Sequence, residues 1–219
     1  MAKTSSLLRL MSWLSPVFPT GSFAYSAGLE QAIHDSQVDG PETLSQWIKA
    51  QLTVGALWND AIFLAQAHGC ATNREPLDDL NELAVAMTNA TERLNETIKQ
   101  GTSFAEAVGN WLKEDQQLPP GTPLPIHIGW ASGHSSIDRS DAIAAFQHAF
   151  TSNQLQAAIR MGILGQKGAA DILVILEPVI ETTAKKAASS TLEDLGTCTF
   201  LVDIAAMKHE SLQPRLFLS

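Results

Sequence analysis

Several common signatures are missing from this chain of 219 residues. Tyrosine occurs once and cysteine twice. Val runs and Thr-rich stretches are scarce, while Ala, Leu, Gln and Glu are plentiful, a balance that favours helix over strand. Basic charge is short as well: the formal net charge is -9 and the sequence pI is near 5.0. Lys185-Lys186 is the only basic doublet, so no stripe exists to neutralise nucleic-acid phosphates, and no nucleic-acid partner is expected. Cys70 and Cys198 stand far apart in no metal-binding spacing, which reads as two buried thiols in a reducing compartment.

Long apolar runs are also lacking. The most apolar stretch, Ile172 to Leu176, lies between Asp171 and Glu177, far short of the ~20 residues that span a bilayer. Near the start, Lys3, the apolar stretch Leu7 to Val17 and Ser22-Phe23-Ala24 imitate a signal peptide, but Arg9, Pro16 and Pro19 interrupt it. The expectation is a cytoplasmic protein without membrane attachment.

Motifs for catalysis are equally thin. Gly162-Ile163-Leu164-Gly165-Gln166-Lys167-Gly168 has the wrong spacing for a phosphate loop and no hydroxyl after its lysine. Neither a Gly-x-Ser-x-Gly elbow nor a His-Glu-x-x-His helix occurs. Six histidines are spread along the chain, and none makes a convincing ligand set. The one enzymatic pattern is Asp78-Asp79-Leu80-Asn81-Glu82, which fits the loose Asp-Asp-x-x-Asp/Glu motif of helical prenyl-diphosphate enzymes that hold Mg²⁺. The same acidic residues suit the first turn of a helix after Pro76, where they complement the positive end of the dipole.

What is present is hydrophobic residues, 45% of the chain, at helical spacing with only 17% charged residues, enough for a sizeable core. The expected fold is all-α: one compact domain over 1–219, of roughly eight to ten helices, with flexible ends at 1–5 and 211–219. Helices are expected over Ser5–Leu14, Tyr25–Asp35, Glu42–His68, Leu77–Met87, Glu92–Leu112, Ile126–Gly133, Asp141–Phe150, Gln154–Leu164 and Ala169–Ala188, with a last one ending near His209. Gly101 is expected to divide the fifth, and Thr43-x-x-Gln46 and Thr151-x-x-Gln154 read as capping boxes. The proline-rich stretch Gln116 to Pro125 reads as a loop between two helical layers.

Two segments carry more specificity than packing requires. The first runs Leu14-Ser15-Pro16-Val17-Phe18-Pro19-Thr20-Gly21-Ser22-Phe23-Ala24-Tyr25-Ser26-Ala27-Gly28-Leu29-Glu30. Its prolines and Gly21 restrict the backbone before folding, and Gly28 inside a helix costs about 1 kcal/mol relative to Ala, so close approach of another backbone is a reason for it. Glu30 is expected on the polar side of its helix, within reach of His34 or of a partner's basic group. The second segment is Asp203-Ile204-Ala205-Ala206-Met207-Lys208-His209-Glu210, followed by the tail Pro214-Arg215-Leu216-Phe217-Leu218-Ser219. Three apolar side chains at a chain end suggest a tail that orders against a partner.

Both segments resemble the urease accessory protein F family, which carries Leu-Ser-Pro-x-Phe-Pro-x-Gly-x-Phe/Tyr-x-Tyr-Ser-His-Gly-Leu-Glu near its start, an Asp-Ile-Ala-x-Met-x-His-Glu helix, and an Arg-Leu-Phe-Arg-Ser end. A weaker likeness covers Ala158-Ile159-Arg160 through Leu164-Gly165-Gln166. Ala27 stands where that family has histidine, Ile163 where it has proline, and Leu218 where it has arginine. The resemblance implies an all-helical, often dimeric assembly factor without catalysis of its own. Such a factor binds a second accessory protein (D or H) and a GTPase (G) on apo-urease, and supports nickel insertion with the nucleotide and nickel handled elsewhere in the complex. It places the partner contacts at Pro19, Gly21, Tyr25, Gly28, Glu30, Gln166, Arg215, Leu216 and Phe217.

Overall fold

A computed structural model describes residues 4–73 and 76–219. Its elements are α-helices and short 3-10 turns: α1 (Thr4–Trp13), α2 (Leu29–His34), α3 (Pro41–Val54), α4 (Ala56–Gly69), α5 (Leu77–Ala86), α6 (Thr91–Val108), α7 (Leu124–His134), α8 (Arg139–Arg160), α9 (Gln166–Ser189) and α10 (Phe200–His209). No strand occurs among the described residues, so the fold is all-α as expected.

α4 is the centre of the molecule. It is apolar on every side, and Leu57, Trp58, Ala61, Ile62, Phe63, Leu64, Ala65 and Ala67 are all buried, which is the signature of a helix surrounded by others. α3, α7, α8 and α9 pack around it. Contact with α7 is close because α7 presents glycines. A Cβ on Gly129 would lie 2.2 Å from the Leu64 carbonyl oxygen, and one on Gly133 would lie 2.6 Å from that of His68. The two glycines that weaken a helical reading of 126–133 are therefore what lets α7 dock.

Three other glycines move the helix boundaries. Expected as one helix, 42–68 divides at Gly55, whose backbone is extended (φ -112°, ψ -165°), giving α3 and α4. Gly101 does not divide α6; a Cβ there would fall 2.2 Å from the Thr122 carbonyl oxygen, so the glycine admits the loop that leads into α7. Gly28 is not inside a helix. It takes a left-handed conformation (φ 81°) and starts α2, which is therefore shorter than 25–35.

Two capping readings are corrected in the same way. Thr43 lies inside the first turn of α3 and its hydroxyl accepts from Gly40 N at 3.1 Å, behind Pro41 at the first helical position. Thr151 lies in the middle of α8, which runs unbroken over the two expected helices, and its buried hydroxyl donates to the Gln147 carbonyl. The true cap of α8 is Asp138, which accepts from Asp141 N at 3.0 Å. Of the two thiols Cys70 is buried, whereas Cys198 is exposed, contrary to expectation.

The main core runs through α1–α4 and α6–α10 and includes Trp13, Phe104, Phe146 and Phe217. A smaller cluster joins α5 to α4 and α7 through Phe63, Leu77, Leu80, Leu118 and Trp130. Asp78, Asp79 and Glu82 stand exposed on the outer side of α5, the first two in its first turn, where they complement the helix dipole.

Candidate partner-binding site

The two specific segments meet. α10 packs on α2, and the chain then turns back so that the tail runs beside residues 24–26. Leu218 N donates to the Ala24 carbonyl and Ser26 N donates to the Ser219 carbonyl, each at 2.8 Å. The Ser26 hydroxyl donates to that same Ser219 oxygen. From α8, Asn153 Nδ2 donates to the Tyr25 carbonyl and Gln154 Nε2 to that of Ser26, which fixes the turn before α2 from below. Arg160 donates to the Phe23 carbonyl and lies over the Phe217 ring, 4.3 Å from its centroid.

Glu30 is the hub of this arrangement. It is 6% exposed and accepts three hydrogen bonds: Leu216 N at 2.6 Å, Phe217 N at 2.9 Å and His209 Nε2 at 3.0 Å. Burial alone would raise its carboxyl, but the bonds from His209, Leu216 and Phe217, with the charge of His209, outweigh burial and hold it below the usual carboxylate range. His209 itself is fully buried, and its other ring nitrogen, Nδ1, faces Glu92 Oε2 at 2.7 Å. Glu92 also takes the Arg215 guanidinium at 2.5 Å.

One turn further along α6, Glu96 accepts from the Ser219 hydroxyl at 3.0 Å and pairs with Arg93, which also reaches Asp60 on α4. Burial pushes the Asp60 carboxyl above its ordinary range in spite of the guanidinium beside it. Asp60 and Glu96 together keep Arg93 charged against its own burial. Tyr25 is buried beside this group, and burial, then the Glu96 charge, raises its phenol.

Several expected site residues thus come together, but largely as internal supports. Glu30 is not offered to solvent, and the tail at 211–219 is laid against its own chain, with Phe217 only 2% exposed. The close approach anticipated at Gly28 is intramolecular: a Cβ there would meet Ala206 N of α10 at 2.9 Å. Gly21 has a left-handed backbone (φ 69°) and open space around it. Pro19, Arg215 and Leu216 are exposed at the rim. Gln166 stands exposed at the start of α9 and takes no part in these bonds.

Much of what remains accessible around the hub is apolar. Val17, Phe23, Leu216 and Leu218 are all more than half exposed, and the outer side of α10 adds Phe200, Leu201, Ile204 and Met207. Beneath the strap 14–23 lies a cleft of about 280 Å³ walled by Trp13, Phe23, Phe104 and Phe146, with Arg93, Glu96 and Gln100 among its polar groups. Among the described residues no cluster of three or more His, Cys, Asp or Glu is placed to hold a metal ion, and no helix is long and apolar enough to cross a membrane.

Comparison with known proteins now decides the family. A model of the UreF family matches residues 38–177. A urease accessory protein UreF of Brucella ovis is 46% identical over 99% of this chain and 95% of its own length. One from Mesorhizobium japonicum is 43% identical over 98% of this chain and 96% of its own. The chain belongs to the UreF family. Its kinship extends on both sides of the matched family region, over the strap and the tail that build the Glu30 hub.

Two elements of the hub are not marked as such in the sequence. His209 and Glu92 lie 179 and 62 residues from Glu30, and nothing in the local pattern of either says that they converge. The only signal was indirect: His209 and Glu30 both fall within the two segments that stand out for specificity.

Proposed function

We propose that this chain is a non-catalytic assembly factor of urease maturation. In this reading it binds a second accessory protein (D or H) and a GTPase (G), acts as a homodimer within the complex, and docks on apo-urease to support nickel insertion. The observation that carries the reading is its likeness to urease accessory proteins over nearly its whole length, at 46% identity. The exposed apolar groups fit it: Leu216, Leu218, Phe23 and Val17 form a rim that the chain itself leaves uncovered, and large exposed apolar patches mark association surfaces.

Nucleotide and nickel chemistry belong to the partners in this reading. No phosphate loop is present in the sequence, and the protein's effect on GTP hydrolysis would be to shape the partner's site, since phosphoryl transfer depends on positioning and charge placement. Nickel is cargo of the complex.

The test is co-purification from a host carrying the urease operon, with and without this chain, read together with urease activity. Leu216→Ser with Leu218→Ser removes the exposed side chains and leaves the backbone bonds to Glu30 and Ala24 in place. The expected result is a normally melting protein that recruits fewer partners and activates less urease. Full urease activation in the strain lacking this chain would overturn the proposal.

A further inference from the structure

The cleft beneath the strap 14–23 is too large for a packing gap. Protein interiors are close-packed, and voids larger than a water molecule are few. At about 280 Å³ the cleft is well above the ~150 Å³ of a cavity that holds benzene. Its inner wall is fixed in advance. Trp13 and Phe104 meet edge to face with centroids 6.1 Å apart, and Phe18 tilts onto Phe104 at 5.4 Å. Ile128 of α7 and Phe146 of α8 complete that wall. Phe23 belongs both to the cleft and to the exposed apolar rim, so the two are continuous.

The lining is also neutral, on a chain whose net charge is -9. Among the described residues that line the cleft, the ionisable side chains are Arg93, Glu96 and His148. Arg93 and Glu96 pair at 3.1 Å. Glu96 further accepts from Gln100 Nε2 at 3.1 Å and from the Ser219 hydroxyl at 3.0 Å, and Arg93 also holds Asp60 of α4. A charged occupant would have to displace one of these partners, which favours an uncharged one. Ser22, Ser152 and Gln156 also line the cleft, and their side chains take no hydrogen bond among the described residues. Two hydroxyls and an amide can both donate and accept, as a peptide backbone laid beside them requires.

We propose that this cleft is an anchor pocket for an uncharged peptide segment of a partner protein, which seats one bulky aromatic side chain between Trp13, Phe104 and Phe146.

The pocket serves the assembly role proposed above, on which this reading rests, as its point of grip. Aromatic anchors in desolvated pockets carry most of the free energy of an interface, while the surrounding contacts chiefly exclude water. The rim of Val17, Phe23 and Leu216 would then supply the surround and the cleft the anchor.

The test has two arms. In the first, the isolated full-length protein is titrated with N-acetyl-phenylalaninamide and, separately, with N-acetyl-lysinamide, and followed by ¹⁵N NMR. The phenylalanine probe should shift the Trp13 indole N–H and the Gln100 and Gln156 side-chain amides, saturating in the millimolar range. The lysine probe should shift them at least fivefold less. In the second arm the cleft is filled from α8, by Ala149→Phe and separately by Ser152→Leu, both at lining positions. Each variant should melt no lower than about 2 °C below wild type and lose the shifts of the phenylalanine probe. Co-expressed with the urease operon, each should recruit at least fivefold less partner than wild type.

An unmoved Trp13 indole, or equal shifts from the two probes, would overturn the pocket. Filled variants that recruit partners at the wild-type level would overturn it and leave the assembly role standing. A wild-type chain that recruits no partner would overturn both.

Discussion

Replacing Glu30 tests whether one buried carboxylate organises the region. Glu30→Ala removes the acceptor for Leu216 N, Phe217 N and His209 Nε2 at once. Leu216 is half exposed and water can take its N–H, but Phe217 N and His209 Nε2 are buried and lose their partner, while His209 Nδ1 keeps Glu92. Leaving a buried polar group without its partner costs about 1–3 kcal/mol, so the two together cost roughly 2–6 kcal/mol. A chain of this size loses about 2–4 °C in Tm per kcal/mol, so a loss near 4 kcal/mol predicts a fall of about 8–16 °C. Glu30→Gln keeps one oxygen and the shape, and its cost should be about half as large. Calorimetry on the two variants measures both values. A Glu30→Ala protein that melts within about 2 °C of wild type would refute the hub, since a solvated glutamate on the polar side of α2 costs no more than that.

Three further outcomes follow from packing and burial. Phe217→Ala should cost about 3–4 kcal/mol in chemical denaturation, because its ring is 2% exposed in the main core and lies under Arg160. A value below about 1 kcal/mol would mean that the tail is not docked. Gly28→Ala forces a side chain into a left-handed backbone and against Ala206 N, whereas Gly121→Ala meets only the backbone cost, with open space around it. The first should lower Tm well beyond the second, and equal shifts would show that α10 does not press on the start of α2. His127 is buried on α7, and burial lowers its imidazole from 6.5 to about 4. The unfolded chain then binds the extra proton first, so stability is complete above pH 6.5 and is lost as pH falls toward 4, by up to about 3 kcal/mol. Tm against pH should show that loss, and His127→Gln should remove the part due to this ring.

Helix content was legible because apolar spacing and residue preference agree along most of the chain. The ends of the helices were not, and the errors fall on glycines. A glycine breaks a helix, starts one or lets one dock, and the choice depends on what comes near it in space. Gly55 has the Thr199 side chain and the preceding turn of α3 beside it, Gly28 has the backbone of α10, and Gly101 has the loop at Thr122. Apart from that turn of α3, none of those neighbours is local in sequence. Thr151 shows the same limit for polar residues. Its pattern with Gln154 fits a cap, but both side chains are buried, and they bond to Gln147 and to Ser26 instead.

The candidate site was legible in its segments and not in its roles. Glu30 and the tail stand out in the sequence, yet they read as surface features, because periodicity places Glu30 on the polar stripe of a short helix. The stripe is polar for an internal reason: it meets His209 and two backbone amides that return from the end of the chain. This matters for reading variants. Substitution at Glu30, Gly28 or Phe217 disturbs the fold before it reaches any partner, so lost activity there does not map a contact. Leu216, Leu218 and Phe23 differ, because their side chains point outward while their backbones carry the internal bonds of the tail and the strap. In the proposed function the same segments would serve two ends with different atoms. Backbone groups and buried carboxylates fix the shape, and exposed apolar side chains are left free to be covered.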